Sequence, residues 1–323
     1  MITALIYERG ELRSSRNIHE IEVAVQHKTA SVWVNFSEPD NDEYKLLGKL
    51  FGFHHLVVDD TKHFTGLPKI EEHTGYLFII FHELAYHNGH LGINEIDLFL
   101  GEQYFVTLHR EKDSGALQRV RNRIHQEPAL MKDHPMLLHA VLDSIVDDYL
   151  PILDAWEDRA AKLENQVVTK DAKQDTVNQL LKMRRMAGKL RRSLAPQRDI
   201  ISKLTRRELP HISEQSIPYF RDIHDHLMNV FNTLDTVKDS IQATFEAYMS
   251  VSNQRLNQIM YKLTLIMSIF VPLTFITGIY GMNFTWMPWL RSPNGFWIIL
   301  GVMLLIAIGF QIYFKKHEFM QEY

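Results

Sequence analysis

The chain has 323 residues, a formal net charge of −4 and no cysteine. This charge balance gives no reason to expect a nucleic-acid partner. The lack of cysteine excludes disulfides, thiolate metal sites and cysteine nucleophiles. The charge is unevenly distributed, because nearly all of it lies before Lys262 and the C-terminal part is dominated by apolar and aromatic residues.

The N-terminal segment does not resemble an export signal. Glu8, Arg9 and Glu11 interrupt the stretch in which a signal peptide needs an apolar core. We therefore expect the charged part of the chain to remain in the cytoplasm.

Residues 1–110 predict a mixed sheet with helices, which is an α+β fold. Ser31–Phe36 and Tyr76–Leu84 are rich in the β-branched and aromatic residues that strands favour. Glu95–Leu100 and Tyr104–Leu108 flank a short turn that contains glycine, which predicts a hairpin. A helix is expected over Asp40–Phe51.

From Ser114 onward the periodicity of the apolar residues is helical. One stripe with steps of three, four or seven residues predicts a single long helix. It consists of Leu138, Leu142, Ile145, Tyr149, Ile152, Trp156 and Leu163. The acidic residues beside the stripe, Asp143 and Asp147 among them, are interpreted as a solvated face or as a loose attraction for cations near a pore.

The next helix carries a basic cluster between Lys182 and Arg192. No interleaved aromatic residues accompany it, so a nucleic-acid site is not indicated. The cluster is interpreted as a solvated face or as a partner of the acidic helix.

The segment Tyr219–Thr277 contains no glycine, and its only proline is Pro272. An apolar stripe with heptad-like spacing runs through its first half, from Ile223 to Tyr248. These features predict one helix, on the order of 90 Å long, that continues from the cytoplasm through a bilayer. A helix of this length needs lateral partners, which favours side-by-side assembly.

Two segments are long and apolar enough to span a lipid bilayer. Leu263–Gly281 and Phe296–Phe314 each contain 19 residues without a charge, enough for a hydrocarbon core of about 30 Å. Only Arg291 is basic in the intervening loop, and this difference in charge predicts that both termini are cytoplasmic. Four basic residues flank the spans on the other side. These residues are Arg255, Lys262, Lys315 and Lys316.

One face of the first span is less apolar than the rest. Its residues recur at steps of three and four: Asn257, Met260, Leu263, Met267, Val271, Thr274 and Gly278. Two helices cannot enclose an aqueous path, so a pore on this face requires several copies of the chain. Packing between helices through small residues would give the same pattern, and the residues alone leave both interpretations open.

The loop between the spans carries the motif Tyr280-Gly281-Met282-Asn283-Phe284. Placed after a first span and before a second one at the C-terminus, this motif resembles the signature of the CorA family, the two-span magnesium and cobalt transporters with a Gly-Met-Asn motif. The resemblance covers essentially the whole chain. Further stretches agree with it: Pro272–Ile276, Met287-Pro288, Phe51–His54, Asp59-Asp60 and Tyr219–Asp222.

The resemblance implies a funnel-shaped homopentamer in the cell inner membrane. The first spans would line the pore, the second spans would form an outer ring, and the α+β domains would lie in the cytoplasm. The chain then divides into a cytoplasmic domain (1–215), a stalk helix (216–262), a first span (263–281), an outer loop (282–295), a second span (296–314) and a basic tail (315–323).

The resemblance also implies a selectivity filter at Tyr280, Gly281, Met282 and Asn283. Five Asn283 amide oxygens would hold a magnesium ion through its water shell, which suits an ion that dehydrates reluctantly. Gly281 is expected to permit a tight turn. Below the filter, Thr274 and Gly278 would accommodate the hydrated ion. Leu263, Met267 and Val271 would form a hydrophobic constriction, with Met260 and Asn257 towards its cytoplasmic end.

Gating by intracellular magnesium is a further implication of the resemblance. Asp60 of one subunit and Asp222 of its neighbour would hold a regulatory ion, with Asp59 close by and Glu246 as a second acidic position. Two facing carboxylates repel each other unless a cation bridges them. Bound magnesium would therefore favour the closed state.

The outer loop departs from the family pattern, since Thr285 and Trp289 stand where acidic residues are frequent. The nearest rival function is zinc transport, with or without coupling to protons, within the same superfamily. A rival of another class is a membrane-anchored coiled-coil interaction or sensor protein. The 17 histidines are scattered. The closest group, His82, His87 and His90, lies near a predicted strand end and not on one helix face, so a zinc site is not indicated. No nucleophile–base pair or Gly-rich phosphate loop indicates an enzyme.

The expected transported ion is magnesium, with cobalt or nickel as further ions, since hydrated divalent ions of similar size are hard to separate by outer-sphere contacts. Magnesium is also the expected regulatory ion. The expected partners are the lipid bilayer, identical subunits and divalent cations.

Overall fold

The computed structural model describes residues 1–26, 30–87, 90–112, 114–169, 174–206, 209–284, 287–289 and 292–318. The chain divides into two compact units, Met1–Phe245 and Glu246–Tyr323. The first unit contains the whole sheet and most of the helices. The second unit contains the end of one long helix and the C-terminal helix.

A seven-stranded sheet forms the centre of the first unit. Its strands are β1 (Ile2–Glu8), β2 (Glu11–Ser15), β3 (Ser31–Ser37), β4 (Lys69–His73), β5 (Tyr76–His87), β6 (His90–Gly101) and β7 (Tyr104–His109). They lie in the order β2-β1-β3-β7-β6-β5-β4. Only the β3–β7 pair is parallel among the pairs of described strands. The sheet is therefore mixed, as the sequence predicts.

The predicted strands and hairpin are confirmed, and the structure adds three strands. β3 and β5 contain the predicted segments, and β6 pairs with β7 in a register that sets Phe99 opposite Val106. β1, β2 and β4 were not predicted. β2 and β4 each have five residues and little burial, so the alternation that identifies a strand is weak in both.

Helices cover both faces of the sheet. Those of the first unit begin with α1 (Ile18–Gln26), α2 (Asn41–Phe51), α3 (His55–Lys62) and α4 (Gly115–Gln126). α5 (His134–Asp147), α6 (Tyr149–Val168) and α7 (Gln174–Leu204) follow. α1, α2 and α3 bury Ile21, Leu47 and Val57 against one face of the sheet. α5 and α7, which come later in the chain, also contact strands of the sheet.

The predicted helix at residues 40–51 is confirmed, and its start is explained by a capping box. The Asp40 side chain accepts hydrogen bonds from the backbone N–H groups of Asp42 and Glu43, and the Glu43 side chain accepts from the Asp40 N–H. These contacts satisfy backbone donors that a helix start otherwise leaves without partners. The helix ends at Gly52, whose φ of 70° is left-handed.

The prediction of one long helix through Leu138 and Leu163 is wrong. The structure has two helices there, because α5 ends at Asp147 and α6 begins at Tyr149. Pro151 explains the break. Its ring would clash with the carbonyl group of the residue four positions earlier, and proline has no backbone N–H group to donate a hydrogen bond to that carbonyl. The apolar residues of the stripe are nevertheless buried on both sides of the break.

The prediction of one uninterrupted helix after Tyr219 is confirmed. α8 runs from Ile217 to Tyr280, a length of 64 residues that includes Pro272. Its first half buries the predicted stripe from Ile223 to Ile241. The basic cluster on α7 is exposed, and its Arg191 pairs with Asp235 of α8 at 3.7 Å.

The last helix, α9, runs from Gly295 to Glu318. α8 and α9 each contain a stretch long and apolar enough to cross a membrane. The α9 stretch is Gly295–Phe314, and less than a tenth of its most apolar window is buried. α9 includes Lys315 and Lys316, so the predicted basic tail begins as helix.

Candidate functional site

The residues predicted to line a pore lie on one face of α8. The α-helix is continuous there, so steps of three and four residues place side chains on one side. Met260, Leu263, Met267 and Val271 expose between 52% and 66% of their surface in the isolated chain. Asn257, Thr274 and Gly278 are also exposed. The other side of this segment, with Leu265 and Ile276, is only partly exposed.

The hydroxyl group of Thr274 is oriented by its own helix. It donates a hydrogen bond to the carbonyl oxygen of Phe270 at 2.8 Å. Since its only proton is used in this way, the Thr274 oxygen presents lone pairs to its surroundings. Such an oxygen can accept a hydrogen bond from the water shell of a cation. One turn later, a Cβ atom added to Gly278 would meet no heavy atom within 4 Å, which leaves space beside the helix.

The motif that follows α8 begins as an extension of the helix. The Gly281 N–H donates to the Thr277 carbonyl oxygen at 2.8 Å, and the Met282 N–H donates to the Ile279 carbonyl oxygen at 3.2 Å. Asn283 is exposed just beyond these bonds. The helical turn therefore fixes the direction in which the chain leaves the span.

A close backbone contact, and not a positive φ, favours glycine at position 281. Gly281 does not adopt a left-handed backbone conformation, so the turn itself does not need glycine. An added Cβ atom would instead lie 3.1 Å from the Thr277 carbonyl oxygen. This is closer than most Cβ atoms approach an oxygen. The close approach of the two backbone segments is what favours glycine here.

The outer loop is described only in part, and Thr285 and Trp286 lie outside the described residues. Trp289 is described, is more than half exposed and has a φ of 65°. Its carbonyl oxygen accepts a hydrogen bond from the Ser292 N–H at 3.1 Å. An added Cβ atom on Gly295, the first residue of α9, would overlap the same Trp289 carbonyl group. The loop thus packs closely against the start of α9.

The aspartates predicted to hold a regulatory metal have cationic neighbours in the chain. Asp59 pairs with Lys62 at 3.1 Å, and Asp60 pairs with Lys69 at 2.6 Å. Lys69 also contacts Glu71 at 2.8 Å. These residues lie on α3 and β4, so the carboxylates are held at one edge of the sheet.

Asp222 lies in the second turn of α8 and is largely exposed. Its Oδ2 atom is 4.0 Å from Nε2 of His226, one helical turn later. Glu246 is exposed farther along α8. Within the described chain, the closest ionic partners of Asp60 and Asp222 are thus different residues, Lys69 and His226.

The structure brings together three ligand-type groups that sequence reasoning did not combine. One side-chain ligand atom each from Asp143, Asp147 and His226 lies within 4.8 Å of the others. Burial raises the pKa of the Asp143 and Asp147 carboxyl groups, and other acidic groups nearby raise it further, while His226 acts in the opposite direction. The spacing of four residues between the aspartates is the available signal in the sequence, where it indicates a solvated face or a loose attraction for cations and not a specific site with His226.

A comparison with models of protein families shows to which family this chain belongs. The family model described as CorA-like Mg2+ transporter protein matches residues 28–316. This chain belongs to the CorA family. Members of this family are ion transporters, so the exposed face of α8 and the Gly-Met-Asn loop are parts of a membrane transporter.

Individual CorA-family relatives match along nearly their whole length. YfjQ of Bacillus subtilis is 34% identical over 97% of this chain and 96% of its own length. The cobalt/magnesium transport protein CorA of Thermotoga maritima is 32% identical over 99% of this chain and 92% of its own. The solved CorA magnesium transporter of Methanocaldococcus jannaschii has a TM-score of 0.79 at 22% identity, covering 97% of each chain.

Proposed function

We propose that this CorA-family chain forms a homopentameric channel that lets magnesium enter the cell down its electrochemical gradient. Cobalt and nickel would pass as well. The channel would lie in the inner membrane with both termini in the cytoplasm. The observation that best supports this proposal is the exposed face of α8, which leads from Met260 through Thr274 to Asn283.

The exposed face supports an assembly of several subunits around an axial path. Large apolar side chains such as Met267 and Val271 have more than half of their surface exposed, at 55% and 63%. Lipid could cover them, but lipid would give no reason for Asn257, Thr274 and Gly278 on the same face. Copies of α8 around one axis would give these polar and small residues contact with water. The apolar residues would then form a constriction that blocks ions by dewetting.

The filter we propose recognises the water shell of the ion. Magnesium holds its water tightly and requires octahedral coordination by oxygen. A ring of Asn283 amide oxygens can accept hydrogen bonds from that shell without removing it. Thr274 would repeat this contact lower in the pore, since its lone pairs are available while its proton is donated to Phe270.

Transport in this scheme needs neither a nucleotide nor a proton relay. A membrane potential contributes about 2.3 kcal/mol per elementary charge per 100 mV. A divalent cation carries two charges, so the potential acts on it twice. Inward flux therefore follows from a negative interior and an open path.

We further propose that intracellular magnesium gates the channel through acidic groups of the cytoplasmic unit. Asp60 and Asp59 of one subunit would share the ion with Asp222 of its neighbour, and Glu246 would offer a second acidic position. A bound ion must compete with Lys69, which contacts Asp60 at 2.6 Å. Such competition would keep the affinity low, as a sensor of a plentiful ion requires.

Ion uptake into liposomes tests the channel. Purified wild-type protein should load vesicles with magnesium, and Asn283→Ala should reduce uptake at least tenfold. Asn294→Ala is the matched control, because Asn294 lies in the same loop outside the proposed filter and should leave uptake unchanged. Wild-type uptake no greater than that of empty vesicles would contradict the channel and favour a sensor protein.

Two further experiments test which ion is transported and whether internal magnesium gates the channel. Uptake that requires a pH gradient and is faster for zinc than for magnesium would favour a zinc transporter over the proposed magnesium channel.

Asp222→Lys should shift inhibition by internal magnesium to higher concentrations. Unchanged inhibition in this variant would contradict the proposed regulatory site while leaving the pore proposal standing.

A further inference from the structure

A small cavity lies on the face of the sheet that α4 covers. Its walls come from β1, β3 and β7 on one side and from Leu117, Gln118 and Arg121 of α4 on the other. Its volume is about 90 Å³. One water molecule needs roughly 10–15 Å³ on this measure. The cavity therefore has room for a few waters or for one small ion with several oxygens.

The charged side chains that line this cavity are positive in the described part of the chain. Arg16, Lys112 and Arg121 line it, and no aspartate or glutamate does so in the part of the chain that the structure describes. Among the described residues, no carboxylate forms an ion pair with these three side chains. Three positively charged side chains thus line one small cavity.

The two arginines are close enough to affect each other. Burial lowers the pKa of Arg121, which is only partly exposed, and the charge of Arg16 lowers it further. Arg16 is exposed and Arg121 is half-buried. Two like charges close together repel each other, and an anion bound between them would relieve this repulsion.

The floor of the cavity is polar but uncharged. Asn35 Nδ2 is 3.2 Å from His109 Nε2, and His109 Nδ1 is 2.6 Å from the Glu111 carbonyl oxygen. These two contacts hold the His109 ring between Asn35 and the Glu111 carbonyl group. The Thr107 hydroxyl donates to the Asn35 Oδ1 atom at 2.6 Å. The floor therefore contributes no negative charge that would neutralise the arginines.

We propose that this cavity binds a small oxyanion with two negative charges, of the size of inorganic phosphate. The guanidinium groups of Arg16 and Arg121 would hold its oxygens, since the planar donor pair of arginine matches tetrahedral oxyanions. Lys112 would add a third positive charge. A monovalent ion such as chloride would leave part of this charge unbalanced and would bind more weakly. The site is separate from the ion pathway and does not depend on the transport mechanism.

Calorimetric titration of the purified full-length protein with inorganic phosphate tests this site. Wild-type protein should bind phosphate saturably at constant ionic strength, and chloride at the same ionic strength should not displace it. Arg121→Gln and Arg16→Gln should each weaken binding about tenfold or more, because each removes a charge-assisted contact. Sulfate should compete with phosphate, since it has the same shape and charge.

Arg13→Gln is the matched control. Arg13 lies three residues before Arg16, is exposed, pairs with Glu8 at 3.5 Å and does not line the cavity. Its replacement removes the same charge from the same region and should leave the affinity unchanged. Absence of saturable binding to the wild type would overturn the proposal, as would an equal loss of affinity in Arg13→Gln and Arg16→Gln. The melting temperature without phosphate shows that each variant is folded.

Discussion

Asp97 is the least expected side chain in the core. It lies on β6 between Ile80 of β5 and Leu108 of β7, and only 1% of it is exposed. Neither of its carboxylate oxygens has a hydrogen-bond partner within the described residues. Burial raises the pKa of Asp97 well above its ordinary value of 3.8, and Glu95 adds to this shift. Arg110 and Lys69 oppose the shift, and Asp60 reinforces it.

Because the pKa of Asp97 is raised in the folded state, the free energy of unfolding depends on pH. The folded state keeps the Asp97 proton at pH values where the unfolded chain has lost it. The free energy of unfolding therefore falls as the pH rises from the ordinary value towards the raised one, by about 1.4 kcal/mol per pH unit for one group. Asp97→Asn removes this contribution, because an amide of similar shape does not ionise.

We expect Asp97→Asn to melt at a higher temperature than the wild type at pH 7 and to show a smaller loss of stability between pH 5 and pH 7. Thermal melts of the purified protein across this range measure both effects. Asp239→Asn is the control, because the Asp239 side chain is 79% exposed. The idea fails if the wild type and Asp97→Asn lose stability in parallel as the pH rises.

Lys69 provides a second prediction at the same scale. It contacts both Asp60 and Glu71, so it occupies a carboxylate that the proposed regulatory ion would use. Lys69→Met should lower the internal magnesium concentration that half-inhibits uptake by several-fold. Lys45→Met, which removes an exposed partner of Asp42, should not change it. Equal inhibition in both variants and the wild type would argue against Asp60 as a ligand.

At the scale of elements, the start of α9 is constrained by the loop before it. Gly295 leaves no space for a Cβ atom beside the Trp289 carbonyl group, whereas a Cβ atom on Gly301, within the same helix, would meet nothing within 4 Å. We expect Gly295→Ala to displace the outer loop and to reduce ion uptake by tenfold or more. Gly301→Ala should keep wild-type uptake. Normal uptake by Gly295→Ala would show that the loop position is unimportant.

The elements also show what the sequence can and cannot predict. α8 was predictable because its segment lacks glycine and its apolar spacing is regular, and the face with Met267 followed from the same periodicity. The break before Tyr149 could have been predicted from Pro151, but an unbroken apolar stripe outweighed it. The groupings of Asp143 with His226 and of Arg16 with Arg121 depend on how segments distant in sequence fold together, which no local pattern predicts.

At the scale of the whole molecule, the proposed pore requires that one face of α8 meets water in the assembly. The chain has no cysteine, so a single introduced cysteine is the only target for a thiol reagent. Met267→Cys should react with a small cationic thiol reagent, and the reaction should stop magnesium uptake. Ile276→Cys, on the opposite and partly covered side of α8, should react without this effect. Uptake unaffected in both modified variants would exclude this face from the pore.

The two outermost strands limit how copies of the chain can associate. β4 carries Lys69, Glu71, Glu72 and His73, and β2 carries Glu11 and Arg13. Charged side chains along a terminal strand discourage further strands from joining it. Neighbouring subunits are therefore not expected to merge their sheets into one continuous structure. In the proposed assembly, helices and not the pairing of these strands would hold the copies together.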